Sequence, residues 1–168
     1  MNAASMTITI SAAARSDIDR LCEIYSSAEL EKAADESRWF VNCYFDYHHI
    51  NLAKVRGQIR GACFWRIEGE KCLGLGWIEN LWVDGRSRRR GLGERLLRKS
   101  LDDMEAFYAK DGIKLRKVAL MTQADKASAK KLYERVGFRK ATSIDDMYDP
   151  GGHDLMYLLD WPQKSHDG

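Results

Sequence analysis

No stretch of about 18 uninterrupted apolar residues occurs in the chain, so the sequence offers no transmembrane helix. A charged-then-apolar secretory leader is also missing from its start, which predicts a cytoplasmic protein with no membrane partner. Cys22, Cys43, Cys63 and Cys72 include no C-x-x-C pair and have no histidine at zinc-ligand spacing. They read as free thiols in a reducing compartment, with no metal site. Neither sign of charge dominates: 27 Lys and Arg face 25 Asp and Glu, for a net charge of +2, and this balance by itself names no nucleic-acid partner. G-x-x-x-x-G-K-S/T is absent, and so is a G-x-G-x-x-G followed by a ribose-binding acid, which argues against a nucleoside-triphosphate or Rossmann site.

The chain that remains has 168 residues, 45% of them apolar and 31% charged, enough for one domain with a substantial core. No repeat or low-complexity linker divides it. Its most informative run is 82–97, where an apolar strand is followed by a basic turn containing Gly91 and Gly93 and then by an amphipathic helix. The first N–H groups of that helix and the positive end of its dipole form a cradle for an anion. Arg88, Arg89 and Arg90 add charge around the same turn. The pattern points to a diphosphate-bearing ligand; the plainer alternative is a solvated basic turn.

Periodicity places the remaining elements. Residues 7–11 read as a strand, and Ser16, Asp17 and Asp19 open a helix that the spacing of Ile18, Leu21, Ile24 and Tyr25 carries to about residue 33. A second helix covers 37–47. Strands follow at 50–55 and 58–67, joined at Arg56-Gly57, and a third at 75–83. Leu92, Leu96, Leu97, Leu101, Met104 and Phe107 line one side of a helix over 91–110, stopped by Gly112. A strand at 117–122 must return parallel to 75–83 through a right-handed crossover. A helix opening at Asp125 or Lys126 and running through Arg135, stopped by Gly137, and two strands, 138–141 and 154–159, separated by an acidic loop, complete a mixed sheet flanked by helices.

This order resembles the GNAT family of N-acetyltransferases over about residues 6–160. Two motifs carry the resemblance: Arg88-Arg89-Arg90-Gly91-Leu92-Gly93, opening the helix after the meander, and Lys131-Leu132-Tyr133-Glu134-Arg135-Val136-Gly137-Phe138 downstream. It implies an α/β (α+β) fold with a mostly antiparallel sheet of about seven strands, four helices and a splayed parallel pair, forming a single N-acetyltransferase domain over 1–168. It also implies an acetyl-CoA-dependent enzyme. The cradle would take the diphosphate and the splay would take the pantetheine arm, beside Leu81, Trp82 and Val83.

Under this resemblance the amine acceptor attacks the thioester directly, so a base and an acid are needed. Glu79 is the candidate base, directly or through a water, because it interrupts an apolar strand just before the splay; the plainer reading is a strand carboxylate paired with an arginine. Asn80 and the His48-His49 pair are weaker candidates. A main-chain N–H near Leu81 or Trp82 would face the oxyanion. Tyr133 occupies the family's position for the acid that protonates the departing thiolate, against the reading of a tyrosine packed on a helix face. Lys126 stands where many members have a pantetheine-binding Asn, so it either approaches a phosphate or merely starts a helix.

Acceptor candidates are Trp39, Tyr44, Tyr47 and Asp146, an aromatic and acidic set suited to a small cationic amine. Three readings stay open beside a small-amine acetyltransferase: an enzyme acting on a protein N-terminus, lysine or tRNA; a CoA-binding module without turnover; and nucleic-acid binding through Arg86, Arg95, Arg98 and Lys99. Exposed strand edges admit a homodimer.

Overall fold

The computed structural model describes residues 7–27 and 33–161. In chain order the elements are β1 (Ile8–Ala12), α1 (Ile18–Tyr25), α2 (Ala34–Tyr47), β2 (His49–Val55), β3 (Gln58–Ile67), β4 (Leu75–Val83), α3 (Leu92–Ala109), β5 (Lys117–Gln123), α4 (Ala127–Val136), β6 (Arg139–Asp145) and β7 (His153–Asp160). One seven-stranded sheet runs β1-β2-β3-β4-β5-β7-β6. Every neighbouring pair is antiparallel except β4 and β5, whose parallel pairing the α3 crossover makes possible. This is the order of elements expected from the sequence.

Most boundaries fall within three residues of expectation, and two differ by more. α1 ends at Tyr25, well before residue 33: the Ser26 N–H bonds the Cys22 carbonyl and the Ser27 hydroxyl donates to the Ile24 carbonyl, closing the last turn. The end predicted near residue 33 falls just past 28–32, which lie outside the described residues. β6 reaches Asp145, which the sequence reading placed in a loop, because Asp145 pairs with His153 across the hairpin.

Each face of the sheet has its own core. On one face Leu92, Leu96, Leu97, Leu101 and Met104 of α3, with Tyr133 of α4, bury Cys63, Trp65, Ile78, Val118 and Leu120. On the other, Leu21, Ile24 and Tyr25 of α1 with Val41 and Tyr44 of α2 bury Leu52, Ala62, Phe64 and Trp82. The period of 3.6 along the helices and of 2 along the strands assigns residues to these faces. The β2–β3 turn has both Arg56 (φ 51°) and Gly57 (φ 77°) left-handed, matching the twist of a two-residue hairpin.

Candidate functional site

The sheet opens in its middle. β4 and β5 pair from Leu75↔Lys117 to Ile78↔Leu120 and no further, although both strands continue. Beyond Ile78, β4 keeps its ladder to β3 on one side, while the main-chain groups on its β5 side have no strand partner among the described residues. That edge can accept an extended chain carrying amides.

A bulge sits where the strands part. Trp65 lies opposite Ile78 and Phe64 opposite Asn80, so Glu79 is the extra residue. Its insertion inverts the alternation of β4. Ile78 and Leu81, three apart, both pack toward α3, whereas Asn80 and Trp82 face α1 and α2. Glu79 faces the α2 side with them, where Arg66 Nε lies 3.6 Å from Glu79 Oε2. The Arg66 guanidinium also bonds Glu68 and lies over the Trp77 ring at 5.3 Å. The plainer reading of Glu79, a strand carboxylate beside an arginine, thus describes real geometry, and Arg66 is the partner that sequence reasoning did not name.

Aromatic hydroxyls surround this carboxylate. Burial, then the charge of Glu79, pushes the Tyr44 phenol far above its ordinary range, so it stays a hydrogen-bond donor. Tyr25 is also raised, mainly by burial, and its hydroxyl donates to Asn80 Oδ1 at 2.8 Å. Burial, then Glu79 and Asp154, raises the Tyr148 phenol from the β6–β7 loop, which places that loop at the same mouth. The loop is tied down by its own acids. Tyr148 N–H donates to the buried Asp154, Gly151 N–H to Asp146 Oδ1, and Gln123 Nε2 to Asp149. The carboxylate of Asp146 is therefore occupied inside its loop. Trp39 (68% exposed) and Tyr47 (78%) stand on the outer face of α2, whereas Tyr44 points inward to Glu79.

The two histidines have different ring neighbours. His48 neighbours the Tyr44 ring, and burial and Arg66 lower its pKa, favouring neutral imidazole. His49 stacks on Trp65 at 3.9 Å on the other flank of β3. It lines a groove of about 410 Å³ with Phe107, Asn51 and Asp103, and Tyr44 and His48 line the same groove.

Downstream of β4 the basic turn has the shape expected of an anion cradle. Arg89 (φ 61°) and Gly91 (φ 72°) are left-handed, and Gly91 is the N-cap of α3. The first bond onto α3 runs from Arg95 N–H to the Gly91 carbonyl, so the N–H groups of Leu92, Gly93 and Glu94 precede it and face outward. Nothing lies within 4 Å of where a Gly91 Cβ would stand, whereas one on Gly93 would meet Leu132 Cδ2 at 3.2 Å and Val83 Cγ2 at 3.5 Å. Gly91 therefore leaves room in front of the turn, and Gly93 lets α3 start close against α4. Arg88 Nε donates back to the Val83 carbonyl at 2.9 Å, bracing the turn. Arg90 borders a small cavity with Ile8, Val55, Ser87 and Leu92. The first-turn acid Glu94 is neutralised by Arg98 and Arg135. Asp84 anchors the corner by accepting from the Arg86 N–H and pairing with Arg60 at 2.7 Å.

Tyr133 lies on the α3–α4 face, 7% exposed, with its ring against Phe138 and Tyr157. Burial raises its phenol well above the ordinary range, and the Cys63 thiol, itself pushed up to about 12 by burial, adds to the shift. Its phenol is held neutral in an apolar wall. Lys126 is the N-cap residue of α4, exposed and 3.9 Å from Asp125, as a solvated helix start would be. Trp82 turns its indole into the α1–α2 core, where Nε1 is buried without a hydrogen bond among the described residues; only its main chain can serve the slot.

Residues 46–140 match the family model described as an acetyltransferase (GNAT) domain. A mycothiol acetyltransferase from Corynebacterium glutamicum is 29% identical over 140 residues, covering 70% of this chain and 46% of that protein. An N-alpha-acetyltransferase 30 from Xenopus laevis is 34% identical over 113 residues, covering 59% and 39%. The chain thus spans less than half the length of these curated relatives. Among solved structures, the ribosomal-protein-S18-alanine N-acetyltransferase from Escherichia coli has a TM-score of 0.76 at 22% identity, covering 96% of this chain and 99% of that one, a likeness of fold.

Proposed function

This chain belongs to the GNAT acetyltransferase family, and from that premise we propose that it transfers an acetyl group from acetyl-CoA to the primary amine of a small molecule. The observation that carries the reading is the parting of β4 from β5 after Ile78, with a left-handed glycine turn at its far end and a bulged carboxylate at its start. The free edge of β4 fits pantetheine amides, and the open N-terminus of α3 fits a diphosphate. Leu81, Trp82 and Val83 would contribute main chain, and Arg88, Arg89, Arg90, Gly91, Leu92 and Gly93 would form the cradle.

Acetyl-CoA supplies an activated thioester carbonyl. Glu79 accepts a proton from the acceptor ammonium, directly or through one water, leaving a neutral nitrogen lone pair. As the N–C bond forms, a main-chain N–H near Leu81 or Trp82 faces the growing oxyanion. As the C–S bond breaks, the neutral Tyr133 hydroxyl gives its proton to the departing thiolate and regains one from the acetylated nitrogen, directly or through water, while Glu79 returns its proton to solvent, yielding a neutral amide and a free thiol. Its raised pKa means that it is fully loaded with that proton at neutral pH.

A second reading, a polypeptide N-terminus as acceptor, is favoured by one observation. Trp39, Tyr47, Met147 and Tyr148 are each more than half exposed on the elements that flank the mouth, an apolar surface on which residues following a terminal amine could rest. Thiol release from acetyl-CoA, screened against polyamines, amino acids, aminoglycosides and unblocked peptides, decides between the two. Release with small amines is the expected result, and release with peptides alone favours the second reading. Calorimetric binding of acetyl-CoA with no release from any amine would leave a CoA-binding module, overturning both.

A further inference from the structure

Resting on that reading, we propose that Asn80 is a further catalytic residue: its side-chain amide holds the water through which the acceptor passes a proton to Glu79, and Tyr25 fixes the direction in which that amide points. The bulge makes the juxtaposition. In a regular strand consecutive side chains point to opposite faces, but the extra residue at position 79 puts Glu79 and Asn80 on the same face, at the first step where β5 no longer covers β4. A carboxylate that only accepts therefore stands beside an amide that can donate.

The amide has one orientation. Tyr25 is 2% exposed, and its ring is wedged at 5.4 Å from Phe40 and 5.1 Å from Phe64. Its hydroxyl proton has a single acceptor among the described residues, Asn80 Oδ1 at 2.8 Å. A buried hydroxyl left without an acceptor is costly, so the bond fixes which end of the amide is oxygen. Asn80 Nδ2 then points away from α1, and neither of its hydrogens has a partner among the described residues. A water that accepts from Nδ2 and donates to Glu79 keeps one lone pair for the proton of the acceptor ammonium. The proton moves from nitrogen to that water as another moves from the water to the carboxylate, so the water is regenerated.

The groups that face the pair are Tyr25 from α1, Tyr44 from α2, His48, Arg66 from β3, Glu68, and Tyr148 with Asp154 from the β6–β7 hairpin. The requirement for both an accepting oxygen and a donating nitrogen explains why an amide, and not a second carboxylate, follows Glu79.

The test compares wild type, Glu79→Gln, Asn80→Ala, Asn80→Asp, Tyr25→Phe and the Tyr25→Phe/Asn80→Ala double variant. Thiol release from saturating acetyl-CoA is read with spermidine, L-lysine and tetraalanine as probe amines. Asn80→Ala is expected to lower kcat about tenfold without changing acetyl-CoA affinity, and Asn80→Asp, which keeps the shape and removes the donor, by as much. Tyr25→Phe should lower kcat less, by letting the amide turn over. The double variant should be no slower than Asn80→Ala alone, because the lock has nothing left to orient. Multiplying effects, or an unchanged kcat in both Asn80 variants, overturn the inference while leaving the Glu79 assignment standing. Wild-type protein inactive with all three amines, or an unaffected Glu79→Gln, overturns the transfer reading beneath it. A side-chain amide NMR pair, identified by its loss in Asn80→Asp, should shift in Tyr25→Phe; an unmoved pair removes the lock whatever the kinetics show.

Discussion

β4 is two half-strands with opposite uses. From Leu75 to Ile78 it is hydrogen-bonded on both sides and packed so tightly under α3 that a Cβ on Gly76 would stand 2.7 Å from the Met104 sulfur. After Ile78 the same strand loses one neighbour, gains a bulge, and turns two polar side chains toward a single face. The paired half is laddered on both sides and supports the fold. The unpaired half forgoes a ladder's worth of hydrogen bonds, which is tolerated where a ligand or water restores them. Stability and chemistry thus occupy neighbouring segments of one strand, and substitutions in each should have separable effects.

The largest effect is expected at the far end of the unpaired half. Gly91→Glu sets a negative side chain in the open space before the helix N-terminus, where a diphosphate would lie. Acetyl-CoA binding should fall below detection by calorimetry while the protein still unfolds cooperatively, less stable by about 1 kcal/mol because a side chain must take left-handed backbone, with no neighbouring atom meeting its Cβ. Persisting heat protection by CoA would place the cradle elsewhere. Next in size, Tyr133→Phe keeps the ring among Phe138 and Tyr157 and removes only the donor. Turnover should fall about a hundredfold with acetyl-CoA affinity near wild type; unaltered turnover would reduce Tyr133 to a packing residue.

Just ahead of the paired half the expected outcome reverses. Gly74 is left-handed (φ 63°), and a Cβ there would stand 2.1 Å from the Lys114 carbonyl oxygen, in the joint that feeds both β4 and β5. Gly74→Ala should cost more than about 1 kcal/mol of stability in urea unfolding. Acetyl-CoA affinity of the folded fraction should be unchanged. A variant as stable as wild type would mean that this joint is softer than its contacts imply.

Much of this division was legible in the sequence, for physical reasons. The glycine turn announced itself because Gly91 and Gly93 stand beside three arginines between an apolar strand and an amphipathic helix, and the apolar stripe of α3 fixed the crossover that makes β4 and β5 parallel. Glu79 stood out as a charge within an apolar strand. The bulge beside it did not, although the three-residue step from Ile78 to Leu81 was a visible sign that alternation breaks there. Arg66 and Tyr25 were missed because their importance lies in partners distant in sequence: Tyr25 meets Asn80 across 55 positions. In a one-dimensional pattern Tyr25 is simply a core residue of α1. The two roles of the α2 aromatics, Tyr44 inward and Trp39 and Tyr47 outward, depend on helix rotation that a crowded aromatic segment leaves ambiguous.

The smallest effect belongs to the corner where the unpaired half ends. Burial alone would raise the Asp84 carboxyl, but the Arg60 guanidinium and the Arg86 N–H together hold it below the ordinary carboxylate range. A carboxylate whose pKa is depressed by folding adds stability above its unfolded value and loses it as pH falls through the folded one. Wild-type protein should therefore shed up to about 1 kcal/mol between neutral pH and about pH 3 that Asp84→Asn, already lacking it at neutrality, does not shed. Because Arg60 extends from β3 and Arg86 from the turn, this bond ties the cradle to the sheet, so acetyl-CoA affinity at neutral pH should weaken alongside stability in Asp84→Asn. Paired urea and calorimetric titrations of the two proteins separate the outcomes. A loss of stability with full affinity would show that the cradle holds its shape through Gly91 and the α3 terminus alone.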